Sequence, residues 1–350
     1  MVNGEKMKSI YDLTYDKLQE TFLENGMKKY RSDQCFQWLY RKGVSSFEQM
    51  SDLGKPAIEW LNTNYYLETL QLVEKQVAKD KTTKYLFKLS DGALVETVLM
   101  HYSFGKSVCV TSQVGCNMGC TFCASGLLKK QRNLSAGEMV AQVLYVHNEL
   151  VEFEERVRNV VIMGTGEPFD NYDNVLDFCN IINHDKGLAI GARKITISTC
   201  GIVPKIYDFS KEHVQYNLAI SLHAPNDELR NKLMPINKSY PLDELFKALK
   251  YYSKDNNRRL TFEYILLKDV NDSKEHALQL SNLLKGINGF VNLIPYNQVD
   301  EHGFKTCDDK TALKFYDWIM KNGVKATLRT KHGDDIEAAC GQLRAKHEGI

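Results

Sequence analysis

Cys116, Cys120 and Cys123 stand close together with the spacing C-x3-C-x2-C, three thiols within eight residues. Three thiolates so near one another along a loop can ligate an iron–sulfur cluster. Such clusters, and structural zinc, ordinarily take four protein ligands. No fourth Cys or His lies within reach along this loop. A 4Fe–4S cluster held by three cysteines leaves one iron open, and an open iron can bind a substrate or cofactor. A zinc knuckle whose fourth ligand comes from afar is the alternative. The cysteines follow an apolar, β-branched run that ends near Ser112, and a strand feeding a ligand loop suits the mouth of a barrel.

The elements that would position this loop repeat along the chain. Apolar, β-branched runs occur at 107–112, 159–163, 194–198, 216–222, 260–267, 290–295 and 325–330. Helical periodicity fills most of the intervals, at 135–149, 173–183, 203–212, 242–254, 273–285 and 309–322. Strand–helix alternation implies parallel strands with right-handed crossovers. The expected fold is therefore α/β, a partial TIM-like (β/α) barrel, with a doubly wound open sheet as the competitor. Polar residues follow the strand ends: the three cysteines after the first run, Gly164-Thr-Gly-Glu-Pro168 after the second, and Ser198 through Gly201 on the third. Ser221-Leu222-His223 ends the fourth run and Pro295-Tyr-Asn297 the sixth, and the acidic stretch 333–340 with Cys340 follows the seventh. In a parallel barrel these ends open on one face, where chemistry is placed.

Upstream, residues 10–64 read as three short helices. Leu18, Phe22 and Leu23 form one stripe that stops at Asn25-Gly26. Cys35, Phe36, Trp38, Leu39 and Tyr40 form a second that stops at Gly43, and Ile58, Trp60 and Leu61 follow Pro56. Lys28, Lys29, Arg31, Arg41 and Lys42 could make a basic face, either for RNA or simply solvated. Residues 82–101 switch to strand period around Asp91-Gly92, a hairpin with Glu96 inside its second strand. A lone strand carboxylate most often faces solvent. The expected domains are 1–80, a helical accessory unit; 81–101, a hairpin linker; 102–333, the barrel; and 334–350, a C-terminal segment carrying Cys340.

Composition narrows the classes. At 43% hydrophobic and 25% charged over 350 residues, the chain can bury a sizeable core. A net charge of +1 gives no global argument for nucleic acid, so an RNA site must be a local patch. Lys129, Lys130 and Arg132, with Lys325, Arg329 and Lys331, are candidates for a phosphate rim. No run of 18 apolar residues or secretory h-region is present, so no membrane partner is expected. Nine cysteines, three of them clustered, fit a reducing cytoplasm.

The C-x3-C-x2-C spacing is the signature of the radical S-adenosylmethionine (SAM) superfamily, which the chain resembles from about Ser107 onward. That resemblance implies a 4Fe–4S cluster on Cys116, Cys120 and Cys123. It also implies SAM held by Gly166, Glu167, Ser198, Ser221, Leu222, His223 and Asn297, with Glu167 set to pair with the SAM ammonium. The motifs VETV (95–98), CVTSQVGC (109–116), MGTGEP (163–168), SLHAPNDELR (221–230), LMPIN (233–237), FEYILL (262–267), NLIPYN (292–297) and GDDIEAACGQL (333–343) extend the resemblance over nearly the whole chain. Together they resemble the family of dual-specificity ribosomal and transfer RNA adenine carbon-2 methyltransferases.

The family resemblance implies a reaction. Two molecules of SAM serve each turnover. The cysteine matching Cys340 is methylated first, a hydrogen is then abstracted from that methyl group by a radical from the second SAM, and the carbon adds to adenine. The cysteine matching Cys109 then releases the product, leaving a Cys109–Cys340 disulfide. Glu96 matches the proposed proton acceptor. The implied partners are 23S rRNA, tRNA and a flavodoxin-type electron donor, and a cytoplasmic monomer is expected. Asn297-Gln298 stands where many members have Asn-Pro. The nearest rival is the carbon-8 methylase that shares the cluster and both cysteines; it carries SLHSP where this chain has SLHAP (221–225). A non-catalytic RNA-binding or iron–sulfur sensor protein is the rival from another class.

Overall fold

The computed structural model describes residues 7–255, 259–299, 302–329, 336 and 341–349. Ten strands form its main sheet: β1 (Gln71–Val77), β2 (Thr83–Lys88), β3 (Leu94–Tyr102), β4 (Gly105–Cys109), β5 (Val157–Ile162), β6 (Ile195–Thr199), β7 (Asn217–Ser221), β8 (Leu260–Leu266), β9 (Gly289–Pro295) and β10 (Ala326–Leu328). They lie side by side in sequence order. From β4 to β10 every pairing is parallel, and β1 to β4 are joined by antiparallel pairings. Seven parallel strands linked by helices give the expected partial barrel rather than a doubly wound sheet, in which strand order would reverse.

Eleven α-helices accompany the sheet among the described residues. Three precede it: α1 (Tyr15–Glu24), α2 (Lys29–Gln37) and α3 (Lys55–Asn64). Between the barrel strands run α4 (Ala136–Val151), α5 (Tyr172–Asn183), α6 (Val203–Lys211), α7 (Asp227–Leu233), α8 (Leu242–Asp255), α9 (Lys274–Leu283) and α10 (Asp309–Lys321), and α11 (Gln342–Glu348) ends the chain. The start of α4 shows how sequence sets a boundary. Ser135 accepts from the N–H of Glu138, whose carboxylate accepts from the N–H of Ser135, a reciprocal capping box. None of these helices is long and apolar enough to cross a membrane.

The N-terminal helices do not keep a core of their own. Phe22, Phe36, Leu39, Tyr40 and Leu61 are buried in one continuous cluster with barrel residues such as Phe178 and Ile182. The His184 ring stacks on Tyr15 at 4.2 Å and meets Phe36 edge-on at 5.1 Å. Leu23 is exposed, because it lies about 100° around the helix from Phe22. The basic face is likewise divided. Arg41 donates to the carbonyls of Asp185 and Gly187, docking the helices on the barrel, while Lys28 and Lys29 remain exposed.

The hairpin expected at 81–101 forms, turning where Gly92 adopts φ +90°. It is no linker: β2 and β3 continue the barrel sheet, and β1 extends that sheet back to Gln71, inside the span expected to be helical. The strand β1 is largely exposed on both faces and lacks the apolar alternation that would mark it in the sequence.

Candidate active site

The inner faces of β3 to β10 surround a cavity of about 950 Å3 that runs from the strand starts, at Arg193, Arg259 and Phe290, to their C-terminal ends, at Cys200, Pro295 and Asn297. Parallel-barrel interiors are normally filled by branched apolar side chains. Here several inward positions are polar: Ser198 on β6, Ser221 on β7, Thr261 and Glu263 on β8, and Asn292 on β9 all line the space. The barrel is not closed: among the described residues β10 pairs only with β9, leaving a gap between it and β3. Arg329 reaches across this gap to donate to the Tyr102 hydroxyl at 2.8 Å.

Cys116, Cys120 and Cys123 all line this cavity and remain partly exposed. Their loop is held from three sides. Tyr296 donates to the Phe122 carbonyl at 3.0 Å, the Thr121 N–H donates to the Leu233 carbonyl at 3.0 Å, and His302 lies 3.0 Å from the Cys123 carbonyl. Among the described residues, no three His, Cys, Asp or Glu side chains converge on a single metal ion. Three thiols spread around one cavity suit a polynuclear cluster, whose irons each take one cysteine, better than a zinc knuckle. Burial pushes the Cys116 thiol up to about 11 and the Cys120 thiol higher still. Binding metal there must therefore expel protons.

The glycine turn after β5 locks against the cluster strand. Both Ser112 and Gln113 donate backbone N–H groups to the Thr165 carbonyl. Gly166 has φ +112°, and a Cβ there would lie 2.7 Å from the Cβ of Gln113. Glycine is thus required first by its neighbouring segment, although Gly166 also lines the cavity. Glu167 is buried, with Oε2 accepting from the Cys200 N–H at 2.8 Å and Oε1 from the Phe169 N–H at 3.0 Å. Burial raises its pKa, and these hydrogen bonds work against the rise. The side chains of Cys200 and Thr199 also hydrogen-bond this carboxylate.

Of the remaining expected SAM contacts, Ser198 and Ser221 sit on adjacent strands with hydroxyls 3.3 Å apart. Asn297 lines the cavity, as does His223. The His223 Nδ1 accepts from the Ile265 N–H at 3.1 Å, which leaves Nε2 to carry the proton. Burial lowers its pKa to about 3, so the ring is neutral near pH 7. Leu222 does not line the cavity. Its side chain is in the core, its N–H donates to the backbone carbonyl of Glu263 and its own carbonyl accepts from Arg230.

Cys109 ends β4, buried but lining the same cavity, paired in register with Val98 and Val161. Cys340 lies outside the described residues, as does any pairing it makes. Its neighbour Gly341 is fixed. The Gly341 N–H donates to Oε2 of Glu96 at 2.7 Å, and the Arg344 N–H donates to Oε1 at 2.7 Å. Lys84 pairs with the same carboxylate at 2.9 Å, and both side chains are buried. Glu96 is thus no solvent-face residue. It caps the first turn of α11, where a carboxylate is favoured by the exposed N–H groups and the helix dipole.

Several residues of the site were not singled out from the sequence. Burial raises the Glu263 carboxyl to about 7, opposed by Arg329 and by a 2.9 Å hydrogen bond from Asn292. Glutamate inside the otherwise apolar strand FEYILL was the available signal. The expected phosphate rim is mostly spent: Lys130 pairs with Asp170, Arg132 with Asp91 and Glu138, and Arg329 turns inward. Lys129 and Lys325 are exposed, and Lys331 lies outside the described residues.

The chain matches two family models. The Radical SAM superfamily model covers residues 110–280, and the ribosomal RNA large subunit methyltransferase N-terminal domain covers residues 8–67. A relative from Listeria welshimeri, described as a probable dual-specificity RNA methyltransferase RlmN, is 57% identical over 343 residues, spanning 97% of this chain and 94% of the relative. A protein of the same description from Spiroplasma citri is 53% identical over 344 residues, spanning 98% of this chain and 99% of its own. The crystal structure of a radical SAM methyltransferase from Sphaerobacter thermophilus superposes with a TM-score of 0.91 at 42% identity, over 96% of this chain and 99% of that one.

Two expectations follow from the geometry. Gly341 has φ +85°, and a Cβ there would meet the Ser125 backbone N at 2.9 Å. Gly341→Ala should therefore displace α11 and reduce methyl transfer at least tenfold with the cluster still bound, as measured by turnover and iron content. Glu263 holds a proton in the fold between the ordinary carboxyl value near 4.5 and about 7 that it releases when unfolded. The folded state then binds more protons, so stability falls as pH rises through that window. Glu263→Gln should flatten the fall in melting temperature between about pH 4.5 and 7.

Proposed function

We propose that this chain, which belongs to the RlmN family and is a radical SAM methyltransferase, methylates carbon 2 of adenosine in 23S rRNA and of the adenosine 3′ of the anticodon in certain tRNAs. The observation that carries this reading is the meeting of separate chemistries in one cavity. Cys109 shares the space with the three cluster cysteines, and Glu96 holds Gly341, the residue after Cys340, against Ser125, which lines the same space. A cluster and SAM alone would need neither extra cysteine.

Carbon 2 of adenine lies between two ring nitrogens and is electrophilic, so it does not attack the electrophilic methyl of SAM. When bound to Cys116, Cys120 and Cys123, the cluster would supply, with SAM, the one-electron chemistry that evades this mismatch. The other tasks fall to side chains. Ser198, Ser221, His223 and Asn297 would orient SAM from the strand ends. As a thiolate, Cys340 would accept a methyl group, with two molecules of SAM consumed per turnover. Cys109, on a rigid strand, would attack Cys340 to release the product, forming a disulfide that must be reduced before the next turnover. Glu96 holds Gly341, the residue after Cys340; as proton acceptor it must use a lone pair beyond those already serving Gly341, Arg344 and Lys84. The target base must be flipped or unpaired to enter. A flavodoxin-type protein is proposed as electron donor, and the cytoplasm as the setting.

Replacing each cysteine separates this mechanism from a SAM-cleaving enzyme of other purpose. Cys340→Ala should abolish methyl transfer to RNA. Cys109→Ala should accumulate protein covalently attached to RNA, seen as a band shift that nuclease removes. Free, fully methylated RNA from Cys109→Ala would contradict the resolving role.

A further inference from the structure

Arg230, on α7, is fully buried, yet every acceptor it meets among the described residues is neutral. Its Nε donates to the Leu222 carbonyl at 3.2 Å, Nη1 to the Asn237 side chain at 2.8 Å, and Nη2 to the carbonyls of Cys200 at 2.6 Å and Ser221 at 3.3 Å. Asn237 in turn donates to Asp227, a carboxylate on the exposed side of the helix. An arginine keeps its proton even when buried. A charge taken out of water with no direct ion pair is costly, and the nearby buried carboxylate of Glu167 bonds the N–H of Cys200 rather than the guanidinium.

The position of this charge suggests what balances it. Three residues on, the Leu233 carbonyl accepts from the Thr121 N–H, so the helix is bonded to the loop between Cys120 and Cys123. Burial pulls the Arg230 guanidinium below its ordinary value, and the nearby Cys200 and Cys120 act in the opposite direction. Arg230 likewise works against the rise of the Cys120 thiol. A cluster ligated by three thiolates is anionic, and one-electron reduction makes it more so.

We propose that Arg230 is the fixed counter-cation of the iron–sulfur cluster and that its charge raises the potential at which the cluster accepts an electron. The step is a simple electron transfer. No bond forms or breaks, the cluster is reduced and a one-electron donor is oxidised. A buried positive charge stabilises the more negative, reduced cluster over the oxidised one, and the low dielectric around it leaves that preference little screened. The carbonyl staple keeps the charge in place, since Arg230 cannot swing away without abandoning four hydrogen bonds. The inference rests on the superfamily's cluster and not on which RNA is methylated, so an error in the substrate would leave the test unaffected.

The test is an anaerobic redox titration of the reconstituted full chain, followed by electron paramagnetic resonance of the reduced cluster, with iron and sulfide counted in each variant. Arg230→Gln removes the charge. The double variant Asp227→Asn with Asn237→Asp exchanges carboxylate and amide, bringing a negative charge against Arg230 while keeping the staple. Arg230→Lys keeps the charge and shortens the staple. The expected result is a more negative midpoint in the first two and a near wild-type midpoint in the third. If Arg230→Gln fails to hold a cluster, retention by Arg230→Lys with a lowered midpoint in the exchange variant carries the same conclusion. A wild-type midpoint in every charge-altered variant that holds a cluster, or loss of the cluster from Arg230→Lys as complete as from Arg230→Gln, overturns the proposal.

Discussion

A single buried carboxylate ties α11 to the third strand of the sheet. Glu96 receives the backbone N–H groups of Gly341 and Arg344 while Lys84 balances its charge. All of this takes place out of water, where breaking such a pair by removing one partner costs about 3–5 kcal/mol. The C-terminal helix has only seven residues and is too short to be stable alone. Its place against β3 and residues 124–127 therefore depends on this docking. The proposed release step requires the Cys109 and Cys340 thiols, from opposite ends of the barrel sequence, to meet in every turnover, and Glu96 fixes Gly341, the residue after one of them.

The cavity is a problem in charge balance. Glu167 and Glu263 bring carboxyl groups into it, Arg329 brings a guanidinium, and Arg230 lies behind the cluster loop. Backbone groups do much of the compensating. Glu167 is met by the N–H groups of Phe169 and Cys200, and Arg230 by the carbonyls of Cys200, Ser221 and Leu222. Cys200 thus sits between the two, its N–H serving the anion and its carbonyl the cation. Such use of fixed dipoles keeps the polar interior rigid, which a site that must direct a radical requires.

The seven parallel strands and most of their helices were legible because parallel β/α units repeat one pattern and leave their polar residues at one end. Cys116, Cys120 and Cys123 were legible from spacing alone, since three ligands on one loop need no tertiary information. Glu96, Lys84, Glu263 and Arg230 were not, because their burial depends on which face of a strand or helix meets the cavity. Even with Glu96 in hand, the family resemblance offered a base, whereas the structure adds a helix cap. The boundary near residue 80 failed for a related reason. The strand β1 is an exposed edge whose residues resemble a surface helix as much as a strand. Arg132 and Lys130 read as an RNA rim in the sequence, but their acidic partners come from distant segments.

The central claim is carbon-2 methylation of adenosine in two classes of RNA. It is tested most directly by mass spectrometry of nucleosides from 23S rRNA and tRNA of cells with and without this gene. The account predicts that 2-methyladenosine disappears from both pools when the gene is absent. Persistence of 2-methyladenosine in both, or loss of 8-methyladenosine in its place, would contradict it.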